Sequence, residues 1–76
     1  MYTDDMRRVV HNFIPPKGFG VDIIDNDNFL TIKLDEIKFI KMTHDEKITA
    51  LQYVVNLKDA LEERGAIVLI TREAIK

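Results

Sequence analysis

THDEKITALQYVVNLKDALEERG, residues 43–65, decides the fold. Thr43 is placed to accept a hydrogen bond from the backbone N–H of Glu46, while the Glu46 side chain can reach back to the Thr43 N–H, the reciprocal pair of a capping box. Asp45 and Glu46 stand where the positive end of a helix dipole favours carboxylates. Arg64 falls in the last turn, and Gly65 can take the left-handed conformation that closes a helix. No Pro or Gly interrupts the span between these signals. At about 100° per residue, Ala50, Leu51, Val54, Val55, Leu57 and Leu61 gather on one broad side with Ile48 at its margin. Thr49, Gln52, Asn56, Asp59 and Glu63 gather on the other. Lys58 falls inside the apolar arc, where its methylenes can be buried and its ammonium can reach water. The pattern predicts one long helix over 43–64 with a wide apolar face.

Outward from that helix, the N-terminal segment 1–14 reads as a short helix capped by Thr3, with Asp4 and Asp5 in its first turn and Met6, Val9, Val10 and Phe13 at helical spacing. Pro15 and Pro16 end it. Residues 20–42 read as an antiparallel hairpin: a strand at Val21–Ile24, the turn formers Asp25-Asn26-Asp27-Asn28, and a return strand from Phe29. Leu30, Ile32 and Leu34 share one face of that return strand, but Ile37 and Phe39 have the opposite parity. The strand must therefore bend or split at Asp35-Glu36, and a bulge is favoured because Asp-Glu lacks the Gly or Asn of a two-residue hairpin.

Residues 66–70 form a continuous apolar run that reads as a buried strand, parallel to its predecessor through a right-handed crossover and central in the sheet. Thr71 to Lys76 reads as a tail or one helical turn. The fold class is α+β: a small single domain of order α-β-β(bent or split)-α-β, an antiparallel hairpin plus a C-terminal strand, with helices on one sheet face. The other face is left bare.

Composition bounds the function. The 76 residues make one domain below the size at which a single core is generously stable, and with no cysteine there is no disulfide to help it. Oligomerisation is the remaining common aid, and the wide helix face together with the bare sheet face suggests a homodimer. A net charge of −2 and a pI near 5.6 give no general attraction to nucleic acid or anionic membrane. The charged stretch Met1–Val10 is unlike a signal peptide and no apolar run approaches a membrane span, which makes the expected location cytoplasmic and leaves no membrane partner. The abundance of Ile, Asp and Lys is what an AT-rich coding sequence of a low-GC bacterium or a phage gives.

The chain has neither Ser nor Cys, so the usual hydroxyl and thiol nucleophiles are missing, and Thr43 is occupied as a cap. His11 and His44 read as surface or packing residues. The expectation is no enzyme and no cofactor. Asp25, Asp27 and Glu36 fall at positions one, three and twelve of a calcium loop and partly resemble an EF-hand, but Phe29 and Leu30 occupy the fifth and sixth positions, where an oxygen ligand and a Gly belong. No metal site is expected, and the segment reads as a hairpin tip.

Lys17-Gly18-Phe19-Gly20 resembles the opening of the RNP1 motif of RRM and cold-shock domains, with Val21 and Asp22 departing from the pattern that follows. The resemblance implies Phe19 as a base-stacking ring and Lys17 as a phosphate contact; the plain reading of the same residues is a Gly-rich connection with Phe19 in the core. Lys33 and Lys41 lie on strand positions outside the apolar sets, Lys38 lies across the bend, and Arg7 and Arg8 lie on the first helix. They read as edge-protecting cations or as a patch for a phosphate backbone or an acidic protein. The expected function is a small regulator or adaptor that binds another macromolecule, a protein first, such as a phage-type inhibitor of a host protein. The alternative is a single-stranded RNA or DNA binder.

Overall fold

The computed structural model describes residues 2–74. In chain order the elements are α1 (Asp4–Asn12), β1 (Val21–Asp25), β2 (Leu30–Asp35), α2 (Glu36–Ile40), α3 (His44–Glu62) and β3 (Val68–Glu73). One mixed sheet runs β1-β2-β3, with β1 antiparallel and β3 parallel to the central β2. No helix among the described residues is long and apolar enough to cross a membrane.

The helix signals act as their residues dictate. Thr43 Oγ1 accepts from the Glu46 N–H at 3.2 Å and the Glu46 carboxylate accepts from the Thr43 N–H at 2.9 Å, completing the capping box. Loss of such a cap costs on the order of 1 kcal/mol. Thr3 caps α1 by accepting from the Met6 N–H at 3.2 Å, without the reciprocal side-chain bond. Gly65 has a φ of 92°, beyond the end of α3. Arg64 also lies just past the last turn, where its guanidinium donates to the Ala60 carbonyl and meets Asp5 at 3.1 Å.

At the hairpin tip, Asp27 takes a φ of 67° while Asp25 accepts its N–H and the Asn26 N–H donates to the Phe29 carbonyl. These bonds account for the dense Asp and Asn turn.

The core lies between one sheet face and the helices. Leu30, Ile32 and Leu34 of β2 are buried against Ala50, Val54, Leu57 and Leu61 of α3, with Met6 and Val9 of α1 closing one side. The opposite sheet face, which carries Asp22, Ile24, Thr31, Lys33, Leu69, Thr71 and Glu73 by strand parity, has no helix over it among the described residues.

Five expectations are corrected. The return strand does not bulge: Asp35 accepts from the Ile37 and Lys38 N–H groups and starts the short helix α2, so the parity change at Ile37 and Phe39 marks a change of element. Lys38 and Lys41 consequently sit on and at the end of a helix. β3 is an edge strand, because β1 already occupies one side of β2 and the parallel crossover has only the other side to reach. Of the run 66–70 only Ala66 and Val68 are buried, and the strand continues to Glu73 where a tail or helical turn was expected. Residues 75–76 of that expected tail lie outside the described residues.

The apolar arc of α3 is also narrower than its sequence. Leu51 and Val55 remain 44% and 45% exposed and Ile48 is exposed as well, since α1 packs on the opposite, Tyr53-bearing flank.

Candidate functional site

Pro15 and Pro16 stop α1 and deliver the chain into a turn. The Phe19 N–H donates to the Pro16 carbonyl at 3.1 Å, and Gly18, with a φ of 81°, takes the position that requires positive φ. This turn holds Lys17 outward and sends Phe19 inward. Phe19 is only 6% exposed, packed edge-on to Tyr53 and tilted against Phe39 with ring centroids 6.3 Å apart in each case. A ring so enclosed offers no face to a base, so the stacking role implied by the RNP1 resemblance has no exposed aromatic to carry it.

Opposite the turn stand the end of α2 and the start of α3. Lys17, Gly18, Lys38, Lys41, Met42 and Glu46 line a cleft of about 230 Å³. A second cleft of about 280 Å³ adjoins it through Lys17, Met42 and Glu46 and adds Pro16, Asp45 and Thr49. A third, about 470 Å³, continues from Pro16 and Thr49 to Ile14, Ile48, Gln52, Tyr53 and Asn56. Together they form a groove along the first half of α3, cationic at one end and largely apolar at the other. Ile14, which the two prolines keep out of α1, is 84% exposed there.

Several cations are held by carboxylates, Arg64 by Asp5 among them. Lys33 pairs with Glu73 at 2.9 Å, Lys58 with Glu62 at 2.9 Å, and Arg72 is held bidentately by Glu36 at 2.7 and 2.8 Å. By contrast, none of Lys17, Lys38 and Lys41 forms an ion pair with a carboxylate among the described residues. Glu46, the carboxylate lining their cleft, is engaged by Thr43, whose backbone and side-chain hydrogen bonds hold its pKa below the ordinary value. Three ammonium groups around a concavity, with no carboxylate partner among the described residues, are an anion-receptive arrangement.

Of the residues singled out from sequence, the structure brings together Lys17, Lys38 and Lys41. Lys33 lies on the helix-free sheet face, where the hydrogen bond and charge of Glu73 raise its pKa. Arg7 stacks over the Tyr2 ring at 4.4 Å, and Arg7 and Arg8 line none of the three clefts. Sequence reasoning missed Ile14, Met42 and Tyr53. The Ile14-Pro15-Pro16 order was the available signal, an apolar side chain that cannot continue into helix. Tyr53 donates its hydroxyl to the Phe13 carbonyl at 3.1 Å and forms a wall of the groove, with burial raising its pKa.

Comparison with known protein families, curated proteins and solved structures finds no match to this chain.

Proposed function

We propose that this protein is a small adaptor or regulator that works by binding another protein, and that the groove along α3 receives a partner segment with carboxylates at one end and apolar side chains at the other. The observation that carries the reading is the convergence of Lys17, Lys38 and Lys41, without carboxylate partners among the described residues, at the head of a groove ending in Ile14, Ile48 and Tyr53. Charge at the rim of such a site sets orientation and rate of encounter, and the apolar end supplies affinity. A nucleic acid fits less well: a phosphate backbone following the groove would pass Asp45 and Glu46, and the adjacent Phe19 ring is buried.

The test is an amide-shift titration of the labelled protein with a short synthetic peptide bearing two aspartates followed by Leu and Phe, run beside a single-stranded oligothymidine. The peptide is expected to shift Lys17, Gly18, Met42, Thr49 and Gln52. A Lys38→Glu/Lys41→Glu variant should bind it about tenfold more weakly, ~1.4 kcal/mol. Shifts at these residues with the oligonucleotide and none with the peptide would replace this reading with nucleic-acid binding.

A further inference from the structure

We infer that the free edge of β3 is an interface for a second copy of this chain, the two β3 strands pairing antiparallel about Ile70 to join both sheets into one. The backbone sets the register. The Leu30 N–H donates to the Ile67 carbonyl at 2.8 Å, and successive residues of a strand turn their polar groups to opposite sides. Ile67, Leu69 and Thr71 therefore face β2, while Val68, Ile70 and Arg72 direct their N–H and C=O groups to the open edge. A two-fold axis at Ile70 sets Ile70 opposite itself and Val68 opposite Arg72. Every outward donor then meets an outward acceptor.

The side chains agree with that register. Leu69 is 51% and Ile70 40% exposed. Pairing brings the two Ile70 side chains together on the helix-covered face and the two Leu69 side chains into diagonal contact on the other. Leu51 and Val55 extend the apolar surface on the helix side: Lys47, on their flank of α3, lies over the Phe39 ring together with Arg72 of β3, which places that flank toward β3 and away from α1.

Charge favours the same occupant. Within β3, Arg72 is neutralised by Glu36 and Glu73 by Lys33, so the paired strands bring these charges to the seam already compensated. This inference is independent of the groove.

Sedimentation velocity at roughly 100 μM, where contacts of micromolar Kd are filled, is expected to give twice the monomer mass. Ile70→Pro removes an outward N–H and no bond to β2, so it should leave the chain folded and weaken association at least about tenfold. Leu69→Lys, at an exposed position on the other face, should do the same and decides the matter if the proline variant misfolds. In the wild type, amide exchange at Val68, Ile70 and Arg72 should slow between dilute and concentrated samples. A monomer mass for the wild type, or a dimer that persists in folded Leu69→Lys with no concentration-dependent protection of those amides, overturns the inference.

Discussion

β1 and β3 flank the same strand in matching positions: Ile23 and Ile70 both sit beside Ile32, Ile24 and Leu69 beside Thr31, and Asp22 and Thr71 beside Lys33. Self-pairing of β1 about Ile23 would set two Asp22 carboxylates diagonally across the seam, where self-pairing of β3 about Ile70 sets two Leu69 side chains. Like charges across strands repel, and apolar pairs attract by roughly 0.2 to 1 kcal/mol each. The acidic tip Asp25-Asn26-Asp27 extends the protection of β1. One edge is thus guarded by carboxylates, and the other has its charges tied up in ion pairs and its Leu69 and Ile70 side chains exposed. The difference teaches that the closure of a small sheet is read from the residues beside the central pair, not from the apolar content of the strand.

The comparison is sharpened by substitutions on α3, which carries a covered flank and an open one. Val54 is 1% exposed beneath the sheet. Val54→Asp should unfold the domain, because an unpaired carboxylate would be forced into the core at a cost of several kcal/mol. Leu51→Asp, on the open flank, should stay folded with its stability changed by about 0.5 kcal/mol or less, while weakening self-association. Thermal melts followed by circular dichroism check the pair. Equal destabilisation by both would show that the Leu51 flank is covered and the β3 side closed within one chain.

The next effect in size concerns the entry to β1. Phe19 wedges between Tyr53 and Phe39 immediately before the strand, whereas the entry to β3 has only Ala66 and Val68 buried. Phe19→Ala should lower stability by roughly 3 to 5 kcal/mol, measured by urea unfolding. A folded variant of unchanged midpoint would show that the ring is not part of the core and would reopen a stacking role.

Local signals were legible wherever they act within one turn of chain: the Thr3 cap, the Thr43–Glu46 box, Gly65 and the Asp-Asn hairpin tip each hold in the structure. Failures came where a residue's meaning depends on what lies beside it in space. The run Ile37 to Ile40 is too short for periodicity to separate strand from helix, and the Asp35 cap decides it. Residues 66–70 read as central because they are continuously apolar; the side of β2 left open by β1 placed them at an edge. Leu51 and Val55 belong to the apolar arc by angle, yet a sheet of three strands with α1 on one flank cannot cover them. For the groove, the three lysines were visible singly, but their convergence depends on the Pro16–Phe19 turn approaching the ends of α2 and α3.

The smallest expected effect tests whether the neutrality of β3 depends on its ion pairs. The Arg72 hydrogen bonds hold the Glu36 carboxyl below its usual value of 4.5. A group whose pKa is depressed by folding contributes stability that is present above the ordinary carboxylate range and lost as pH falls through the folded value. Arg72, whose own pKa the pair raises, stays charged throughout. Acidification through that window therefore leaves an unpaired guanidinium at the edge proposed to pair with a second copy. The pair is solvent-exposed, so the change should be small and screened by salt. Glu36→Gln isolates it from the other carboxylates: at neutral pH the variant should self-associate slightly less than wild type, with the deficit shrinking at high ionic strength, and should lose less association when acidified. Identical sedimentation of variant and wild type at neutral pH, at low and high salt, would mean that the Glu36–Arg72 pair does not govern the edge and that the exposed Leu69 and Ile70 side chains distinguish β3 from β1 without it.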